Sequence, residues 1–139
     1  MTREEVIKLY TRGERNFIGA NLRGANLRGA YLTGADFTGA YLTGSDLTGS
    51  DLHGSDLTGS DLHGTIGNMR EVFSAQFERW PVSWTSNVLQ IGCQRHTISD
   101  WMSFDDAKID SMSEHAFLWW QKWKPVLKLL IETTAGATT

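Results

Sequence analysis

Leucine or phenylalanine returns every five residues, at Phe17, Leu22, Leu27, Leu32, Phe37, Leu42, Leu47, Leu52, Leu57 and Leu62. Each is followed two places later by glycine, and from Ala20 onward each is preceded two places earlier by Ala or Ser. The position between is Asn, Asp or Tyr. A strand repeats at two and a helix at 3.6. Because five is odd, a flat strand would send alternate leucines to opposite faces. The ten consecutive pentads from Arg15 to Gly64 can bury every leucine only if each turns by an equal angle and the turns stack. That is a solenoid.

The flanks carry different patterns. Thr2 followed by Glu5 is a capping-box signature, and it predicts a short helix over Arg3–Arg12, closed by Gly13, that lids the first coil. The pentad decays through Thr65-Ile66-Gly67-Asn68-Met69, and a second unit is expected from Arg70. There, EVFSAQF, VSW and VLQIGC read as three short strands, with a break at Trp80-Pro81. They would either continue the solenoid or start a separate layer. Thr97 and Ser99 are candidate caps for a short helical turn, and FDDAKIDSM predicts another. Ser113 is expected to cap a long helix with Ala116, Phe117, Trp120, Trp123, Leu127 and Leu130 at helical spacing. Pro125 should kink or restart it. Six tryptophans lie between Trp80 and Trp123. They serve as a compact core or as an aromatic docking surface.

The word A-(N/D)-L-x-G over fifty residues resembles the pentapeptide-repeat family. The resemblance implies a right-handed quadrilateral β-helix, one pentad per side and four per coil, with the central Leu or Phe and the small first residue facing inward. Leu22, Leu42 and Leu62 would then form one column, and Ala20, Ala40 and Ser60 another beside it. The second and fourth letters would face solvent. The expected architecture is therefore a β-solenoid of about two and a half coils with an N-terminal capping helix (residues 1–69), followed by a small α+β head (70–139).

Charge sharpens this picture. The chain has 139 residues and a net charge of −3, but basic residues dominate up to Arg28, and no Lys or Arg occurs from Gly29 to Met69. That stretch contains Asp36, Asp46, Asp51, Asp56 and Asp61. Coils stacked at roughly 4.8 Å make a body about 12 Å long, so five aspartates give about one charge per 2.4 Å of axis, near the roughly 1.7 Å of duplex DNA. The resemblance implies DNA mimicry on this ground. The competing structural reading is that Asp and Asn are favoured at a turn-forming outward position. Asp105, Asp106, Asp110 and Glu114, relieved only by Lys108, form a second acidic patch. On successive helical turns they would extend the first, or they form an ordinary solvated face.

Other chemistry is mostly excluded. Cys93, His96 and Asp100 make half a zinc site without a second pair of ligands. Catalysis by Cys93 is disfavoured because IGC reads as the end of a buried strand. His53 and His63 fall on opposite sides of the solenoid as solvated surface groups. No cofactor, no metal and no enzymatic activity are expected. The single cysteine and the absence of a signal-like or membrane-spanning stretch predict a soluble cytoplasmic protein. The stretches IGCQRHTISDWMSFDD and HAFLWWQKWKP resemble the tails of small pentapeptide-repeat proteins of bacteriophages and prophages, and proteins of that build include inhibitors of type I CRISPR surveillance complexes. The resemblance implies a DNA-mimicking inhibitor of bacterial host machinery. Its partner would be a protein with a basic DNA-binding channel, with no direct contact to nucleic acid or membrane. Gyrase is the rival target, although a 12 Å body covers only about four base pairs at roughly 3.4 Å each. A structural or adaptor role, with the solenoid as spacer, is the other class. The oligomeric state is left open.

Overall fold

A computed structural model describes residues 1–135, so the last four residues of the expected head, 136–139, lie outside it. The pentads wind as a coil that returns on itself every twenty residues. Parallel bridges join Asn16 to Asp36, Asn21 to Tyr41, Asn26 to Asp46, Tyr31 to Asp51, Asp36 to Asp56, Tyr41 to Asp61 and Asp46 to Ile66. Twenty residues are four pentads, which fits one pentad per side. The bonding repeats from word to word. The Phe17 N–H donates to the Asp36 carbonyl at 2.8 Å, the Asp36 N–H donates back to the Arg15 carbonyl at 2.7 Å, and the Gly19 N–H donates to the Thr38 carbonyl at 2.9 Å.

Each corner is a four-residue turn. The Ala20 N–H donates to the Phe17 carbonyl at 3.1 Å, and Leu22, Leu27 and their successors repeat the bond. The third turn position is the pentad glycine, with φ between 66° and 72° from Gly19 to Gly64. A type II turn needs that left-handed conformation, which side chains beyond glycine resist. The Leu and Phe column residues are buried, with Leu22, Leu27, Leu32 and Leu62 at 0% exposure. Phe17 stacks on Phe37, with ring centroids 5.4 Å apart.

A coil of this kind has two unlike ends. At its start, the carbonyls that a preceding coil would bond are orphaned, as on any sheet edge. Helix α1 (Arg3–Thr11) lies across this end and supplies the donors. The Met1 amine donates to the Asn21 carbonyl at 2.6 Å, Arg3 donates to the Asn26 and Arg28 carbonyls at 3.2 and 2.7 Å, and the Tyr10 hydroxyl donates to the Thr33 carbonyl at 2.6 Å. Thr2 caps the helix by accepting from the Glu5 N–H, as its sequence predicts. Val6 plugs the apolar cross-section at 0% exposure.

At the other end N–H groups predominate among the orphans and side chains beyond the last pentad supply acceptors, while the orphaned Ser50 carbonyl accepts from the Asn68 amide at 3.1 Å. Glu71 accepts from the Leu52 N–H at 3.1 Å, and the Gln90 carbonyl oxygen accepts from the Leu62 N–H at 2.6 Å. The connection is drawn tight by Asn68, whose oxygen accepts from the N–H groups of Arg70, Glu71 and Val72. Val72 packs in the apolar core of the coil, twenty residues after Leu52.

The head is a meander of four antiparallel strands in sequential order: β1 (Phe73–Phe77), β2 (Trp80–Trp84), β3 (Val88–Ile91) and β4 (Gln94–Thr97). Three of these were expected. Strand β4 was not, because QRHT carries no apolar alternation. Trp80-Pro81 is also no break: it opens β2, and the chain reverses instead at Glu78-Arg79, with Phe77 opposite Trp80 and Glu78 at φ 54°. The sheet is a separate layer. Its Ser83 and Gln90 face the last coil, while Val82, Trp84, Leu89 and Ile91 face three helices.

Those helices are α2 (Ile98–Ser103), α3 (Asp106–Asp110) and α4 (Ala116–Ala135). Thr97 caps α2, whereas Ser99 lies inside it. Helix α4 runs through Pro125 without restarting. Trp84, Trp101, Trp119 and Trp120 are buried in the second core, with Trp80 and Trp123 packed against it.

Candidate interaction surface

The aspartates are held by the turns they help to form. In each, one carboxylate oxygen accepts from the N–H two residues on: Thr38 at 3.0 Å from Asp36, Thr48 at 3.0 Å from Asp46, His53 at 3.1 Å from Asp51, Thr58 at 2.9 Å from Asp56 and His63 at 3.1 Å from Asp61. Bonds to the charged form favour it. The Thr48 hydroxyl and N–H, helped by Arg28, lower the pKa of Asp46. The Thr58 hydroxyl and N–H do the same for Asp56. For Asp61, burial pushes upward, but the Gln90 amide, the His63 N–H and the Arg95 charge outweigh it and leave the carboxyl below its ordinary value.

The five do not form a row. Asp36 and Asp56 share one side, where they bridge directly across successive coils. Asp46 belongs to a second column with Asn26, Asp51 to a third with Tyr31, and Asp61 to a fourth with Tyr41. The period that buries every leucine causes this dispersal, since successive words occupy successive sides. The count of one charge per 2.4 Å of axis therefore describes the circumference as a whole, not a single face. Two of the charges are also engaged. Arg28 reaches forward from the preceding coil to Asp46 at 3.1 Å, and Asp61 accepts from the Gln90 amide at 2.9 Å. Arg23 stacks over the Tyr41 ring at 4.0 Å.

Asp105, Asp106, Asp110 and Glu114 are all exposed, but they do not ride successive turns of one helix. Asp105 caps α3 by accepting from the Lys108 N–H at 2.8 Å. The helix ends at Asp110, and Glu114 lies in the turn before α4. The sheet stands between the helical layer and the last coil.

Two sequence-based expectations are corrected. Cys93 is exposed in the two-residue turn between β3 and β4, not at the end of a buried strand. His63 is not a free surface group, because its Nδ1 lies 2.8 Å from the Gly92 carbonyl and joins the coil to the head. His96 is half-buried against Trp101 and Phe104. Burial, and then the Lys108 charge, lower its pKa against the pull of Asp100.

Glu71 and Gln90 escaped the sequence reading. Beside Glu71 a polar groove of about 440 Å³ opens between the last coil and the head, lined by Gly54–Thr58, Glu71 and Thr85–Asn87. It places Asp56 and Glu71 on one concave surface.

Residues 16–49 and 35–66 match the pentapeptide repeats family, with eight copies. The matched span is a little over a third of the chain and coincides with the coil. Among solved structures, the chain is similar to HetL, a pentapeptide repeat protein involved in heterocyst differentiation regulation from the cyanobacterium Nostoc sp. strain PCC 7120. Identity is 34% over 38% of this chain and 26% of HetL, with a TM-score of 0.37. The match thus spans about a quarter of HetL. A search of curated proteins gave no match. Among the described residues, no helix is long and apolar enough to cross a membrane.

Proposed function

We propose that the protein is a non-enzymatic inhibitor that presents its later coils, as a duplex-DNA mimic, to the basic DNA channel of a type I CRISPR surveillance complex. One observation carries this reading. In the first coil, Asn16, Asn21 and Asn26 make the same turn bond that the aspartates make later, accepting from Ile18, Arg23 and Arg28 at 3.1, 3.3 and 3.1 Å. Asparagine therefore serves the turn, and the charge of the later coils exceeds what the fold requires. A right-handed four-sided coil would place Asp36 and Asp56 in vertical register on one side. The groove brings Glu71, which stands above the neighbouring Asp51 side, next to Asp56, and this corner is the face for cationic contacts. Backbone-like electrostatics dominate such binding.

A second reading, an adaptor with the solenoid as spacer, is favoured by the dispersal of the aspartates over all four sides. A channel that encircles duplex DNA tolerates such dispersal, whereas a flat basic patch does not.

The test is capture of a purified type I surveillance complex by the immobilised protein, repeated with the Asp36→Asn/Asp56→Asn pair. Asparagine preserves the turns, so folding is retained. Capture by the native chain, an affinity loss of about tenfold or more in the pair, and steep weakening with salt are expected. Equal capture by both chains, insensitive to salt, sinks the mimic and leaves the spacer.

A further inference from the structure

The helical layer does not close completely over the sheet. A cavity of about 200 Å³ opens between the β3–β4 turn and the start of α4, walled by Trp80, Trp101, Trp119 and Trp120. None of its lining residues belongs to the acidic coils.

Its chemistry is unusually uniform. The Trp101 indole N–H is spent on the Leu89 carbonyl at 2.7 Å, and that of Trp119 on the Phe77 carbonyl at 2.9 Å. The walls therefore offer ring faces and edges, and no acidic or basic side chain lines the space. Besides the indoles, its polar side chains are Cys93, Gln94 and Ser113. A cation would meet ring faces but no carboxylate, and the Lys124 ammonium already stands 5.7 Å from the Trp120 ring and repels a second positive charge; an anion would meet no basic side chain.

The walls also resist collapse. Trp80 meets Trp119 edge to face, with centroids 5.3 Å apart at 66°, and Trp101 lies 5.3 Å from Trp120. Two of the four rings are further pinned by their hydrogen bonds. Gly92 helps keep the entrance open, since a Cβ there would stand 3.2 Å from the Trp80 ring. Interiors normally fill space of this size. An apolar cavity of roughly 150 Å³ stays dry and takes up benzene, so this one has room for one ring or two fused rings.

We propose that this cavity binds one uncharged planar ring, between benzene and indole in size. The ring is either a free small molecule or the Phe or Trp side chain of a partner protein. Aromatic walls at these angles accept a further ring in edge-to-face or offset contact, which exceeds the gain from area alone.

The experiment follows the indole N–H resonances of the ¹⁵N-labelled full chain during titration with benzene, unlabelled indole and benzylammonium. Saturable shifts at the four wall tryptophans with benzene or indole, and none with the cation, are expected. Ala116, which lines the cavity and is 7% exposed, provides the control. Ala116→Leu fills the space, so the shifts should vanish while the melting temperature holds or rises. Persistence of the same shifts in A116L, or no saturable shift with either ring in the native chain, overturns the site. Should A116L not fold, alkylation of Cys93 by iodoacetamide decides: bound ring slows it severalfold in the native chain, and an unchanged rate overturns the proposal. A Gly-Trp-Gly peptide separates the sources. Competition at least as strong as that of free indole assigns the ring to a partner protein, and failure to compete assigns it to a small molecule.

Discussion

Gln90 is 3% exposed and serves two masters. Its oxygen accepts from the Leu62 N–H, and its nitrogen donates to the Asp61 carboxylate. One amide thus satisfies an edge donor and an adjacent charge that would otherwise be desolvated without a partner. Burying such groups unpaired is expensive. Gln90→Leu should therefore destabilise the protein by about 3 kcal/mol, read as a shift of the urea midpoint. An unchanged midpoint would mean that the head is held to the coil by other contacts. The leucine, glycine and Asx roles inside the pentads were legible because their partners are close in sequence or recur at a fixed interval. Gln90 was not legible: in VLQIGC it reads as a polar interruption in a buried strand, and its partners lie 28 and 29 residues away.

At the level of elements, the coil, α1 and the long α4 could be read directly, since each has a period or a cap. The sheet could be read only in part. Its first hairpin turns at Glu78-Arg79, without the glycine or asparagine that usually marks such a turn, while Pro81 suggested a break that does not occur. Proline is tolerated near the start of a strand, where a missing N–H disturbs the ladder least. Strand β4 is held by pairing with β3 and not by an apolar face of its own. The joint between coil and sheet depends on Gly67. A Cβ there would overlap the Val72 carbonyl oxygen, which is backbone and cannot swing aside. Gly67→Ala should move the connection, loosen Val72 from the coil core and lower stability by about 3 kcal/mol. Unchanged thermal unfolding of that variant would show that the connection yields at little expense.

Across the whole molecule, the groups with displaced pKa values all weaken the fold in acid. His96 is held below its ordinary value, so the stability it confers is intact above the unfolded value of about 6.5 and declines as pH falls below it. Asp46, Asp56 and Asp61 are also depressed. Their contribution is intact above about pH 4 and is lost as pH falls through the folded-state values. Asp61 should dominate this lower stage, since Asp46 and Asp56 are largely screened by solvent. Thermal melts from about pH 8 to about pH 3 should therefore show two downward steps, and His96→Phe should remove the upper one. A single step in the native chain would refute the assignment to His96. The sequence also revealed the division of charge between early and later coils. The dispersal of the aspartates around the axis follows from the same four words per coil that the resemblance implies, but a charge count taken along the axis alone passes over it.

The two coil ends differ in which orphaned backbone group predominates, carbonyls at the first and N–H groups at the last, and this difference is independent of the number of coils between them. Length and azimuth are consequently separate variables in this architecture. Inserting twenty residues would push the head further from α1 without rotating it, whereas inserting five would swing it to the neighbouring side and carry the Trp-walled cavity with it. A lineage that gains or loses repeats can thus re-aim one surface against another while every corner, column and cap keeps its present chemistry.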